Sequence, residues 1–126
     1  MNLEKGCKEF ENGYPCFLPA QKILHTISRK WAIQIIYLLG NGNNLRYNEI
    51  KSALQRGWKK DKISDATLSA RLSELEAEEL LIRKVYAELP PRVEYSLSNR
   101  GVDLSQALQP LIQWAIAVCH ENMKAK

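Results

Sequence analysis

The chain has 126 residues, of which 45% are apolar and 25% charged, so its composition excludes a collagen-like or wholly disordered protein and its length suits one domain. A domain of this size has room for one core but not for a large enclosed active site. The formal net charge is +4. Residues 46–62 alone carry six basic and two acidic side chains, whereas residues 64–126 carry seven basic and nine acidic ones. This basic segment predicts a polyanionic partner, with a solvated loop as the simpler alternative.

The cysteines and the N-terminus favour a cytoplasmic protein. Cys7, Cys16 and Cys119 are odd in number and lack a CxxC spacing, which argues against a disulfide framework and against a zinc finger. No signal peptide is visible, and the longest apolar run falls far short of the roughly 20 residues that span a bilayer. His25 and His120 stand alone, and no catalytic constellation can be assembled. We therefore predict no metal, no cofactor and no enzyme activity.

The first half of the chain predicts a loose arm followed by helices. The arm covers residues 1–15, and Ser28 is expected to cap the second helix. That helix is apolar nearly all round, so it should lie at the centre of the core. A short extended piece at residues 45–47 precedes the third helix. The three predicted helices cover about residues 19–27, 29–39 and 48–55.

The second half predicts a capped helix, a hairpin and a long last helix. After a loop at residues 56–62, Ser64 caps a helix that runs to about Glu79, with an apolar stripe of Leu68, Leu72 and Leu75. Two alternating runs, residues 81–86 and 93–97, flank a Pro-Pro connection and predict a hairpin. Ser98 caps the last helix, residues 99–122. Its apolar face is wider than one small core needs, and Pro110 should kink or restart it.

This order of elements is the plan of a winged helix-turn-helix. The predicted fold class is α+β, mostly α, a single domain over residues 1–126 with a two-stranded wing and a long C-terminal dimerisation helix. In such a fold the second helix of the pair fits the major groove of DNA, while the wing reaches along the backbone toward a minor groove.

Specific residues also resemble the HxlR-type regulators, a branch of the small MarR-like winged-helix transcription factors. The resemblance covers about residues 16–118. Its most specific part is the run PPRVEYSL at residues 90–97 followed by Gly101, and Lys30-Trp31 and Arg46–Ile50 add to it. The resemblance implies a homodimer, built from the first and last helices, that binds a palindromic site near a promoter.

Two features depart from the family pattern. The segment QRGWKKDK, residues 55–62, is several residues longer than the turn that the family has before its recognition helix. Its Trp58 either helps this turn to grip phosphates or packs against the wing or a neighbour. The family often carries a Cys-Pro near the N-terminus, where this chain has Pro15-Cys16. Cys16 is the candidate redox residue, and an inert cysteine is the alternative.

We predict a DNA-binding surface with three parts. The first is the recognition helix, whose small-residue face is Ala66, Ala70 and Ser73, flanked by Thr67 and Ser69. Ser64 at its cap and Arg71 beside its apolar stripe complete this part. The second supplies phosphate contacts that do not depend on sequence, from Arg46, Lys59, Lys60 and Lys62. The third is Arg92 at the wing. Arg71 could instead pair with a carboxylate, and Arg92 with Glu88 or Glu94. Only the N-terminal half of the helix should enter the groove, because glutamates at its other end repel phosphate.

The sequence therefore predicts a DNA-binding transcriptional regulator that acts as a homodimer on a palindromic promoter site in double-stranded DNA. A winged-helix module that contacts an acidic protein partner is the alternative. A third hypothesis adds an unidentified small-molecule or oxidant effector that toggles the dimer.

Overall fold

The computed structural model describes residues 10–11, 14–15, 17–58 and 60–124. The elements are β1 (Phe10–Glu11), β2 (Tyr14–Pro15), α1 (Leu18–Ile27), α2 (Ala32–Leu39), β3 (Leu45–Arg46), α3 (Tyr47–Gly57), α4 (Asp65–Ala77), β4 (Leu81–Tyr86), β5 (Arg92–Leu97) and α5 (Asn99–Lys124). The predicted winged helix-turn-helix, with its long C-terminal helix, is confirmed. In the part of the chain that the structure describes, no helix is both long enough and apolar enough to cross a membrane.

The core forms around α2, as its apolar sequence predicts. Ile35 and Ile36 are fully buried, and they join the stripe of α4, whose three leucines are all buried. One position of α2 departs from the expectation, because Tyr37 is 46% exposed. The core thus covers most of α2 and leaves one flank of that helix open.

The turn between α1 and α2 differs from the prediction. Ser28 does not cap a helix that starts at Arg29; its hydroxyl donates to the His25 carbonyl oxygen at 3.0 Å and closes α1 instead. Helix α2 starts at Ala32, and Trp31 precedes it with a left-handed backbone, φ 80°. The Trp31 side chain is almost completely buried. Burying this large ring offsets the backbone strain, which costs about 1–3 kcal/mol for a residue other than glycine.

The wing, defined as β4, β5 and the connection at residues 87–91, is the predicted hairpin. An additional strand, β3, pairs with it. β4 and β5 pair antiparallel from Leu81↔Leu97 to Tyr86↔Arg92. β3 pairs with the other edge of β5, which gives a three-stranded sheet in the order β3-β5-β4 where two strands were expected. This pairing joins the start of α3 to the wing.

The last helix begins as predicted and runs further. The Ser98 hydroxyl accepts from the Gly101 N–H at 3.0 Å and donates to the Glu79 carbonyl oxygen at 2.6 Å. A Cβ on Gly101 would lie 2.1 Å from the Leu80 carbonyl oxygen, so only glycine fits there. The predicted restart at Pro110 is wrong, because α5 continues through this residue. Pro110 is exposed, so water can satisfy the carbonyl that lacks its usual helical donor.

Candidate DNA interface

The recognition helix α4 begins at the predicted cap. The Ser64 hydroxyl accepts from the Thr67 backbone N–H at 3.1 Å, and the two hydroxyls are 2.9 Å apart. Both side chains are therefore engaged in holding the first turn. Because the backbone N–H groups of a first turn carry partial positive charge, this end of α4 suits an approach to phosphate.

One face of α4 presents small side chains to solvent. The buried leucines occupy the opposite face, and Thr67 is half-buried at the boundary. Small side chains allow the backbone of a helix to come close to a groove floor. The exposed members of this face are Ala66, Ser69, Ala70 and Ser73.

A polar network that the sequence analysis did not find joins α3 to the start of α4. Lys51 Nζ lies 2.8 Å from Asp65 Oδ1, and the Tyr47 hydroxyl donates to the same oxygen at 3.0 Å. The hydrogen bond from Lys51, and next the one from Tyr47, lower the pKa of Asp65 below its ordinary value. The bond to Asp65 likewise raises the pKa of Lys51. The spacing of Tyr47 and Lys51, one helical turn apart, is the only sequence signal for this network.

Arg71 lies against the turn between α1 and α2. Its Nη1 contacts both carboxylate oxygens of Glu74 at 2.9 Å, and its Nε donates to the Lys30 carbonyl oxygen at 2.9 Å. Arg29 Nη1 reaches the same carboxylate at 2.6 Å. The Arg71 side chain is only 18% exposed. Of the two roles that the sequence allowed, the structure contains the carboxylate pair, which lies within α4. The bond from Arg71 Nε to the Lys30 carbonyl oxygen ties α4 to the turn between α1 and α2.

Arg92 begins β5 at the base of the wing connection. Its guanidinium carbon lies 4.1 Å from the centroid of the Tyr86 ring. Glu88 and Glu94 approach the guanidinium at 3.4 Å and 3.7 Å, which are the two pairings that the sequence offered as alternatives. The Arg92 Nε is buried and has no hydrogen-bond partner within the described part of the chain. The ring and the two carboxylates hold the guanidinium beside the wing.

Three of the four remaining predicted cations lie in exposed positions. Lys60 and Lys62 are exposed in the loop before α4, and Arg46 is exposed at the start of α3. The Arg46 backbone N–H donates to Glu49 Oε1 at 2.9 Å, which caps that helix. Lys59 and Cys16 lie outside the described residues. The structure thus places one of these cations just before α3 and two between α3 and α4.

Trp58, in the same loop, packs against the body of the domain. Its ring meets that of Trp31 edge to face, with centroids 6.4 Å apart and planes at 83°. The packing alternative for Trp58 is therefore the observed one, although its neighbour is the turn before α2 and not the wing. Gln55 holds the loop further, because its side chain donates to the Asp61 carbonyl oxygen and accepts from the Ile63 N–H.

Large apolar side chains are exposed near the start of α1 and along the second half of α5. On α5, Leu111 is 54%, Trp114 64% and Ile116 52% exposed. Phe17, just before α1, is 61% exposed, and Leu18 in that helix 56%. Exposed apolar patches of this kind mark interaction sites in soluble domains.

Comparison with known proteins agrees with the architecture. The model of the HxlR-like helix-turn-helix family matches residues 26–123. The chain is 39% identical to an HTH-type transcriptional regulator from Halalkalibacterium halodurans over 93 residues, 74% of this chain and 77% of that protein. It is 35% identical to the HTH-type transcriptional regulator YvaP from Bacillus subtilis over 115 residues, 91% of each protein. Its structure is similar to that of a MarR-family transcriptional regulator from Enterococcus faecalis, with TM-score 0.73, 28% identity and coverage of 95% and 99% of the two chains.

Proposed function

The chain belongs to the HxlR-like helix-turn-helix family of transcriptional regulators, and from this premise we propose that it acts as a homodimer on a palindromic DNA site near a promoter. The single observation that carries the proposal is the exposed small-residue face of α4, which begins directly after an exposed basic loop.

In this proposal the contacts divide into reading and positioning groups. The hydroxyls of Ser69 and Ser73, with the methyl groups of Ala66 and Ala70, face the base edges in the major groove. The capping pair Ser64 and Thr67 sets the first turn of α4 at a phosphate. The phosphate contacts come from Arg46, Lys59, Lys60 and Lys62.

The two arginines take different parts. From the wing, Arg92 contacts a DNA phosphate or the minor groove. To do so, it gives up its ion pair with Glu88. Breaking this ion pair costs little free energy, because Glu88 is 51% exposed and an exposed ion pair contributes only about 0–1 kcal/mol. Arg71 acts as a positioning residue through Glu74 and the Lys30 carbonyl group.

The exposed apolar side chains of α1 and α5 support the homodimer. A second copy would cover Leu18, Leu111 and Trp114, all more than half exposed in the single chain. A twofold axis between the copies then presents the two recognition helices to successive major grooves, roughly 34–36 Å apart.

The test is a salt series with a fluorescent random duplex of about 30 base pairs, followed by anisotropy. If the dimer neutralises about 6–10 phosphates, log affinity falls with log salt with a slope of about −0.9 per phosphate contact. The double variant Lys60→Gln, Lys62→Gln should reduce this slope. Lys22→Gln, which removes one charge from α1, is the control for Lys60→Gln and for Lys62→Gln made singly. A flat salt dependence, or no binding at low salt, would contradict the proposal and favour the acidic protein partner.

A further inference from the structure

The recognition helix begins with an acidic side chain, although the proposed function brings this end of the helix to DNA. Asp65 is the first residue of α4, and its side chain is 71% exposed. A carboxylate beside DNA repels the phosphates and so lowers the affinity for every sequence alike. Asp65 therefore opposes DNA binding unless it finds a specific partner there.

Asp65 shares its side of α4 with Ser69 and Ser73, two of the proposed base-reading residues. The three positions follow one another at steps of four residues, which places them in one row along the helix, and all three are exposed. The Tyr47 hydroxyl lies 3.0 Å from Asp65 Oδ1 and 3.5 Å from the Ser69 hydroxyl, so it stands between the two side chains. In a helix-turn-helix the N-terminal residues of the recognition helix contact the base edges. Asp65 thus stands where a base edge comes within reach.

The two oxygens of the Asp65 carboxylate have different surroundings. Oδ1 accepts from Lys51 Nζ at 2.8 Å and from the Tyr47 hydroxyl at 3.0 Å. Within the described part of the chain, no hydrogen bond or ion pair reaches Oδ2. Because two donors from α3 hold Oδ1, the carboxylate has a defined orientation and Oδ2 remains as one open acceptor. The charge of Lys51 also offsets that of the carboxylate, which reduces its repulsion of nearby phosphates.

A single anionic acceptor distinguishes between the base edges of the major groove. Cytosine presents the N4 amino group, a donor, whereas guanine N7 and O6 and thymine O4 are acceptors. Adenine has a donor at N6, but its N7 acceptor stands directly beside that donor. On cytosine the neighbour of the amino group is the C5–H, which does not repel an anion. An oxygen held as Oδ2 is held therefore favours cytosine and opposes guanine and thymine.

We propose that Asp65 is a specificity-determining residue, and that its Oδ2 accepts a hydrogen bond from the N4 amino group of one cytosine in each half-site. Tyr47 and Lys51 are positioning residues, because they hold the carboxylate through Oδ1 and do not touch the base. This role rests on the DNA-binding function proposed above. It adds to that function the identity of one base, which the small side chains of α4 do not determine.

Replacing Asp65 by asparagine should invert the base preference. The side-chain oxygen of the asparagine keeps the place of Oδ1, because Lys51 and Tyr47 both donate to it. The amide nitrogen then takes the place of Oδ2 and presents a donor to the groove. A donor at this point favours guanine O6 and N7 or thymine O4, and it opposes the cytosine amino group. A merely structural role of Asp65 would not produce such an inversion.

The first experiment selects binding sequences from a random duplex library with the parent, with Asp65→Asn and with Glu76→Gln. Glu76 is exposed nearer the other end of α4, so its variant is the control for the loss of one negative charge. The parent and the control should enrich cytosine at one position of each half-site, and Asp65→Asn should enrich guanine or thymine there. A parent site without such a cytosine, or retention of cytosine by Asp65→Asn, would overturn the role of Asp65.

The second experiment tests the single hydrogen bond by anisotropy with the enriched duplex. In N4-methylcytosine a methyl group replaces the amino hydrogen that points into the major groove, while the other hydrogen still pairs with guanine. This base at both positions should weaken binding of the parent by about ten-fold or more. Asp65→Ala removes the acceptor and leaves room for the methyl group, so it should bind the two duplexes equally within about two-fold. An equal loss of affinity in Asp65→Ala and in the parent would overturn the contact.

The variant Tyr47→Phe tests the positioning role, because it keeps the ring and removes one of the two donors to Oδ1. It should lower the discrimination against N4-methylcytosine by about three-fold or more and leave the affinity for a random duplex unchanged. Unchanged discrimination would overturn the positioning role of Tyr47. Failure of the parent to bind any duplex would refute the proposed function itself, whereas binding of the enriched duplex without this discrimination would overturn only the role of Asp65.

Discussion

Removing the guanidinium of Arg71 should weaken the fold without removing a DNA contact. The side chain makes three hydrogen bonds at 2.9 Å, two to Glu74 and one to the Lys30 carbonyl oxygen. Arg71→Met keeps an unbranched apolar stem in place of the arginine stem and removes all three. The change also leaves Glu74 with Arg29 as its partner, so the carboxylate does not become an unpaired charge.

The magnitude follows from the exposure of these groups. A hydrogen bond to a charged group contributes about 1.5–3 kcal/mol, and the contributions of bonds within one network do not add. The Glu74 side chain is 30% exposed, and this favours the low end of the range. We therefore expect Arg71→Met to lower the free energy of unfolding by about 2 kcal/mol.

The assay is urea unfolding at one fixed protein concentration, because the proposed dimerisation would make stability depend on concentration. Arg83→Met is the matched control, since Arg83 is exposed on β4, and it should change stability by less than about 0.5 kcal/mol. In the DNA salt series, Arg71→Met should weaken binding but keep the slope. A stability loss no larger than that of the control, or a slope that falls by about 0.9, would refute this assignment and make Arg71 a phosphate contact.

Three further predictions concern the start of α5, the proposed dimer and the network at the start of α4. Gly101→Ala should lower the melting temperature and cost about 3 kcal/mol or more, because the Leu80 carbonyl oxygen occupies the position of the new methyl group; an unchanged melting curve would contradict the packing. Trp114→Glu should convert the proposed dimer to monomers in sedimentation velocity and weaken DNA binding, and a variant that stays dimeric would move the interface elsewhere. The lowered pKa of Asp65 means that its ionised form stabilises the fold above the ordinary pKa of 3.8, and that this contribution disappears as the pH falls below that value. Asp65→Asn should therefore lose stability at neutral pH and show a shallower acid decline than the parent. Lys51→Met should lose stability from the pH at which Asp65 ionises up to about 10.5, the ordinary pKa of that lysine, because the contribution of Lys51 needs the ionised Asp65.

Much of the fold can be predicted because its signals are local. The three leucines of α4 repeat at the spacing of a helix, and Ser64 and Ser98 stand where a cap must stand. The alternation of residues 81–86 and 93–97 around two prolines is enough to predict the hairpin of the wing, whose strands are Leu81–Tyr86 and Arg92–Leu97.

The features that sequence reasoning missed depend on distant partners. Trp31 adopts a left-handed backbone because its ring is buried against residues that follow much later in the chain, among them Trp58. β3 is too short to be predicted as a strand, and it exists because Tyr95 and Glu94 offer it a free edge. The contact from Arg29 to Glu74 joins residues 45 positions apart, so no local pattern indicates it.

The sequence predicts which residues form the candidate DNA interface, but not which of them are held by contacts within the protein. The small residues of α4 and the lysines of the loop can be located from their order alone. Whether Arg71 faces DNA or the protein depends on the position of Lys30 and Glu74, which only the folded chain determines.

The central claim is that two copies of α4 read one DNA site, and a selection of binding sequences from a random duplex library tests it most directly. The account predicts enrichment of an inverted repeat whose half-sites are about 10–10.5 base pairs apart, centre to centre, or a multiple of that distance. The variant Ser69→Ala, Ser73→Ala should enrich a different or weaker repeat at the same spacing. Enrichment of no sequence, or of a single site without a repeat, would contradict the claim.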